Sequence, residues 1–313
     1  MIAYIVRRLA SMLPVMAIVA MFVFLLLHLA PGDPAAIIAG DNATPANIAA
    51  IRQRLGLDEP IWRQFLVWIG SLLQGDLGRS MFWDEPVFNL IRQRAEPTVA
   101  LASTTILVAV TIALVLGVTA AAKPGTFLDR CVMGFAVMGF SVPVFVVGYL
   151  LIFIFAITLK WLPVQGYTPI SEGPWPWLRN LILPSFALGL AYVALIARIT
   201  RTTMLDVLAE DYIRTARAKG VAVAPMLLRH ALKNAAVPIV TVIGIGVALL
   251  IGGVVITETV FNIPGIGRLV VDAIARRDYP IIQGVIMVSA GVYVLVNLAV
   301  DLSYTLFDPR IRY

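Results

Sequence analysis

The chain has 313 residues, 60% of them apolar and only 13% charged, with a net charge of +6 and a mean hydropathy of +0.91. About a quarter of a soluble domain is charged, so this balance excludes an ordinary water-soluble fold and predicts an integral membrane protein. Its single cysteine, Cys131, excludes a disulfide framework and reads as a packing residue near the start of a span.

Six stretches of 18 residues or more lack Asp, Glu, Lys and Arg: 9–32, 97–122, 131–159, 180–197, 234–257 and 279–300. A helix needs about 20 apolar residues to cross the hydrocarbon core, so the pattern predicts an all-α fold with six transmembrane helices. The first stretch follows Arg7 and Arg8 like a secretory signal. Its apolar core is too long and no small-x-small cleavage site follows, which predicts an uncleaved anchor. The organisation expected is an anchor helix over 1–32, an external segment over 33–96, and a core over 97–306. That core has spans near 99–122, 132–159, 180–199, 236–257 and 280–303, a polar loop over about 205–235, and a tail at 307–313.

Within 33–96, Leu57, Ile61, Phe65, Leu66 and Ile69 recur at helical spacing. Asp58, Glu59 and Pro60 precede them as a start signal and Gly75 follows as a stop, predicting a short amphipathic helix on the outer face. The spans carry no charge through their middles, so a proton- or ion-coupled transporter, which needs ionisable groups at depth, is disfavoured. The polar residues left inside are Ser103, Thr104, Thr105, Thr111, Ser141, Thr241, Ser289 and Asn297. Interhelical hydrogen bonding is their ordinary use; Ser141, Thr241 and Ser289 are carried forward as candidates to line a pathway. Asp301, near the inner end of the last span, reads as a capping or pairing residue.

The stretch "YIRTARAKGVAVAPMLLRHALKNAAVP" over 212–238 holds five Lys/Arg, each costing ~3 kcal/mol at the membrane centre and about 15 kcal/mol together, so it stays in water. Glu210 and Asp211 lie at the start of one helix and Arg214, Arg217 and Lys219 in its later turns, matching the helix dipole. Gly220 stops it, Pro225 fits the first turn of a second helix through His230, and Pro238 marks the return to the bilayer. Thr215, Ala216, Ala218 and Gly220 are small enough for another backbone to approach. The residues support a docking surface, a helix resting on anionic headgroups, or a solvated loop. A DNA-reading helix-turn-helix is disfavoured by the spans on both sides. Further on, 258–280 mixes turn residues Asn262, Pro264, Gly265 and Gly267 with a short apolar helix, and its Gly-x-Gly, lacking a preceding strand, is no nucleotide loop.

Thirteen of the 24 Lys/Arg fall on the side of the termini and the 205–235 loop. Six of the other eleven sit in the long 30–96 segment among eight acidic residues, a kind of loop that translocates despite its charge, so both termini are expected in the cytoplasm. Trp161, Trp175 and Trp177 take interfacial positions. There is no Walker loop, His-Glu-x-x-His or Gly-x-Ser-x-Gly, and only His28 and His230 could offer imidazoles. No catalytic residue, resident cofactor or metal site is therefore expected. Such a chain is a conduit that is passive, a channel or scaffold, or driven by a partner.

Several segments together carry a resemblance: "YIVRRL", "FLLLHLAPGDPA", "LGLDEPIWRQF", "GDLGRS", "RTARAKG", "RHALKNAAVP", "ETVFNIPGIGRL", "RRDYPIIQG" and "DPRIRY". The chain resembles the inner-membrane permeases of ATP-binding-cassette importers of the dipeptide, oligopeptide and nickel family, specifically the first of their two permeases. The resemblance covers nearly the whole length. The family's EAA loop falls on this loop with its glycine at Gly220, and Arg214-Thr215-Ala216 replaces Glu-Ala-Ala, as expected of the peptide branch. The resemblance implies a type I importer permease fold in a bacterial inner membrane. It implies a coupling helix over 212–228, with Tyr212, Arg214, Thr215, Ala216, Arg217, Ala218, Lys219, Gly220 and His230 as its docking residues. It also implies two cytoplasmic ATPase subunits that bind ATP and Mg2+, a second homologous permease, and an external substrate-binding protein within reach of Asn262, Gly265 and Arg268. No nucleic-acid partner is expected.

Overall fold

The computed structural model describes residues 2–29, 33–39 and 44–307; the "DPRIRY" motif, with Arg310 and Arg312, lies outside them. Fourteen α-helices follow in chain order among these residues. They are α1 (Ile2–Leu29), α2 (Pro34–Ala39), α3 (Pro45–Leu55), α4 (Ile61–Leu73), α5 (Val87–Ala122), α6 (Phe127–Ser141), α7 (Val144–Leu151), α8 (Pro174–Leu208), α9 (Asp211–Ala218), α10 (Val223–Pro225), α11 (Leu232–Asn234), α12 (Ala236–Val260), α13 (Ile266–Arg276) and α14 (Tyr279–Phe307). Four helices, α1, α5, α8 and α14, are long and apolar enough to cross a membrane unaided. Two bent pairs, α6 with α7 and its π-helical extension, and 223–234 with α12, bring the spans to six.

The span expected at 132–159 is broken rather than straight, and the cause is local. Val142 precedes Pro143 and takes the extended conformation (φ −98°, ψ 124°), ending α6, while Pro143 opens α7; the proline ring excludes the helical region for the residue before it. The fifth span bends for a different reason. Ala235 interrupts the ladder between α11 and α12, and the helix turns by 65° there, with Pro238 inside the first turn of α12, where its missing N–H is not needed.

The chain divides into two units. One comprises 1–95 and 268–294, the other 96–267 and 295–313. In the second unit α8 is the central helix: 61% of its most apolar window is buried, against 28% for α5. It packs against α6, α7 and α12. Small residues permit the approach. A Cβ on Gly117 of α5 would lie 2.6 Å from Thr200 Cβ, and one on Gly139 of α6 would lie 2.8 Å from Ala194 Cβ. Leu101, Leu181, Leu188, Leu250, Val254 and Ile263 form one end of this core. Within it Thr104 Oγ1 meets Ser185 Oγ at 2.8 Å, the interhelical bond expected of such residues. At the other end the buried Asp129 carboxylate takes both Nε and Nη2 of Arg201, the latter at 2.7 Å, and the Gly125 N–H at 2.9 Å, fixing the start of α6 to α8.

In the first unit, α1, α4 and the first half of α14 share a core of Ala20, Val23 and Met287, with Trp68, Ile69 and Leu72 packed on it. The helix read from 57–69 begins after Pro60 and ends at Leu73, close to its signals. The return loop is pinned by Asp278, which accepts from Ser80 Oγ (2.5 Å), Met81 N (3.2 Å) and Phe82 N (3.2 Å). Cys131 is exposed on α6, not packed inside.

Candidate functional site

The first helix of the 205–235 segment forms where its capping pattern predicts, whereas the second, expected to open at Pro225, starts at Val223 and passes into a π-helical turn. Glu210 holds the extended conformation before α9 (φ −67°, ψ 147°) and Asp211 opens the helix. At the far end, Gly220 N–H donates to Arg217 C=O (3.0 Å) and Val221 N–H to Ala216 C=O (3.2 Å), with Gly220 at φ +80°. This double closure is a Schellman motif, and its left-handed residue favours glycine. Beyond the turn, α10, a π-helical turn Met226–Ala231 and α11 make the second arm.

One face of α9 is locked to the helix bundle. Ile213 is 1% exposed, packed with Val118, Ala121, Met204, Met226, Ala231, Ala235 and Ile239 from α5, α8, the second arm and α12. The arms are also tied by Asn234 Nδ2, which donates to Tyr212 Oη at 2.7 Å and to the His230 C=O at 3.0 Å. The opposite face is open. Arg214, Thr215, Arg217, Ala218, Lys219 and Gly220 are exposed, and Ala216 and His230 are half-buried. Tyr212 is exposed beside them. Thr215 Oγ1 donates to the Asp211 C=O (3.0 Å) and Arg214 pairs with Asp211 at 3.3 Å, so the small and basic groups are held on a formed helix.

Sequence reasoning missed the apolar part of this open face. Val223 is 64% and Leu228 59% exposed, both on the arm that follows the glycine turn. Apolar side chains exposed beside basic ones are the composition of a protein contact rather than of a solvated loop. Helical phase was the available signal: Met226 and Ala231 point inward, which leaves Leu228 outward.

The second site lies at the opposite end of α12. Glu258, assigned from the sequence to a loop, is in the last turn of α12 and 0% exposed. Its Oε1 accepts from Thr98 Oγ1 of α5 at 2.5 Å, and Thr98 Oγ1 accepts from Ile266 N–H at 2.8 Å. Its backbone C=O accepts from Ile263 N–H at 2.9 Å. A Cβ on Gly265 would lie 2.0 Å from Oε1, and one on Gly267 2.7 Å from Val255 Cα and 3.0 Å from Oε2, so the chain closes tightly over the carboxylate at both glycines. Of the residues expected to face an external partner here, Asn262 is exposed and Arg268 half-buried, but Gly265 is buried against Glu258. Nearby, Glu96 accepts from Tyr167 Oη (3.1 Å) and Ile170 N–H (3.2 Å). Burial pushes the Tyr167 phenol up to about 12, so it remains a donor at neutral pH.

Two of the three candidate pathway residues satisfy their hydroxyls within their own helices. Ser141 donates to the Val137 C=O (3.0 Å) at the exposed end of α6, Thr241 to the Val237 C=O (2.8 Å), and Ser289 is half-buried in α14. No cluster of three His, Cys, Asp or Glu that could hold a metal ion occurs among the described residues.

Two family profiles match: "binding-protein-dependent transport system inner membrane component" over 113–313, and its N-terminal counterpart over 1–102. The chain belongs to this family. Among curated relatives, a probable peptide ABC transporter permease of Sinorhizobium fredii is 59% identical over 99% of both chains. A putative peptide transport system permease of Brucella abortus and the glutathione transport system permease of Escherichia coli K12 are each 44% identical over the full length of both chains. In fold the permease matches a chain of the MetNI methionine ABC transporter in an inward-facing conformation. The TM-score is 0.58 at 17% identity, covering 71% of this chain and 97% of that one. The type I importer fold and the six-span expectation are thereby supported. The permease is a multi-pass inner-membrane transport component.

Proposed function

We propose that this permease forms, with a second homologous permease, the translocation pathway for peptides or a related small solute such as glutathione. Two cytoplasmic ATPase subunits drive the pair, and 212–228 of this chain seats in a groove of one of them. The observation that carries this reading is the two-sided α9. One face is fastened by Ile213 to α5, α8 and α12, so a displacement of α9 is transmitted to three spans. The other presents Tyr212, Arg214, Ala218, Lys219, Val223 and Leu228 outward. A passive channel has no use for such a lever. ATP and Mg2+ belong to the ATPases, since the chain carries no Walker loop.

The same reading puts both termini and the 205–235 segment in the cytoplasm. The turn at Asn262 and the start of α13 at Arg268 then face an external substrate-binding protein. The peptide class is supported by the relatives' names and the RTA variant of the loop. The test is steric: Ala216→Trp and Gly220→Val abolish both ATPase co-purification and ATP-dependent uptake if α9 docks as described. Retention of both by folded, membrane-inserted variants overturns the coupling role.

A further inference from the structure

We infer that α4 is a re-entrant helix that inserts into the bilayer leaflet remote from the N-terminus, with its outer face against acyl chains. At 13 residues it spans roughly 20 Å and cannot cross a membrane, a length typical of re-entrant or interfacial segments. Its register against α1 decides between them. His28 Nε2 meets Gln64 Oε1 at 3.2 Å. The Phe24 ring lies 5.3 Å from Phe65 and 5.8 Å from Trp68. Ala20 and Val23 then pack with Trp68, Ile69 and Leu72. As α1 descends from 28 to 20, α4 advances from 64 to 72, so the two run antiparallel and side by side. The most apolar part of α1 is Val6–Leu26, and Ala20 lies six residues, roughly 9 Å, inside it.

Composition follows that depth. Trp62, Arg63 and Gln64 occupy the mouth, with Arg63 paired to Glu59 at 2.9 Å, as interfacial anchors do. From Phe65 to Leu73 the only polar side chain is Ser71. Leu66 (57%), Val67 (64%) and Leu73 (81%) are exposed, and on a helix held alongside a span the occupant of such a face is hydrocarbon. The return segment is irregular, which is permitted at membrane depth only when it lines protein or a polar cavity. It does so. Leu77 packs at Gly284 and Gly78 at Pro280 of α14, and Asp76, Gly78 and Met81 line a cleft of about 420 Å³ with Glu59, Arg63 and Gln283.

The experiment is depth measurement by spin labels on the full permease, with Cys131→Ser as background, in phosphatidylcholine vesicles with its co-expressed partner subunits. Labels at Trp62→Cys, Leu66→Cys and Leu73→Cys are expected to show oxygen accessibility rising, and nickel-chelate accessibility falling, in that order. Higher nickel-chelate than oxygen accessibility at both 66 and 73 would mean a helix outside the membrane and overturn the inference. Protection from both relaxants would mean a protein partner on this face and overturn it equally. A fourth label at the half-buried Ile69, packed against α1, is expected to be immobile, and a mobile one would contradict the α1 register.

Discussion

At the residue scale, two buried carboxylates do the fastening that charge-free spans cannot. Glu258 joins α5 and α12 to the start of α13 through Thr98 and the two glycines packed on it. Removing one partner of such a bond leaves the other unsatisfied, at about 1–3 kcal/mol and more for a charged group. Thr98→Val should therefore lower the Tm of the purified complex, since it takes a donor from a buried carboxylate and an acceptor from the Ile266 N–H, and the double variant with Glu258→Ala should cost less than the sum of the singles. Gly265→Ala should be at least as damaging as Glu258→Ala, because its Cβ would fall 2.0 Å from a carboxylate oxygen, and thermal unfolding in detergent checks the order. At the other end, Asp129 is 4% exposed in its pair with Arg201. Asp129→Asn should cost about 3–5 kcal/mol, read as loss of folded protein in size-exclusion profiles, since the arginine then keeps its charge without its partner.

At the element scale, α9 depends on Ile213 for position and on Gly220 for its end. Ile213→Ala should cost about 2–5 kcal/mol of local stability, measured as faster amide exchange over 205–235 with the rest of the chain unchanged. This element was legible in the sequence because charge, caps and glycine spacing all point the same way. The helix after Pro60 was legible for the same reason. The break at Val142-Pro143 was not, because counting charge-free residues is blind to proline, although the proline itself carried the signal. Glu258 was missed because the same count ends a span at its first carboxylate, whereas Thr98 lies 160 residues away and no local pattern announces it. Val223 and Leu228 were missed because apolar residues next to a span are assumed to turn inward.

At the scale of the whole molecule, an ATP-driven importer needs a rigid link between the site where ATP is hydrolysed and the helices that open. In the proposed coupling role that link is α9, which packs through Ile213 with Val118 of α5, Met204 of α8 and Ile239 of α12, residues of one unit of the chain. In that proposed role the open face of this helix is covered by an ATPase and not by lipid headgroups or water. Site-specific photocrosslinking from Arg214, Ala218, Val223 and Leu228 in the assembled complex tests it most directly. Adducts with the ATPase subunit are expected from these four positions and none from the buried Ile213. Adducts with lipid alone, or none from any of the four while uptake continues, would contradict it.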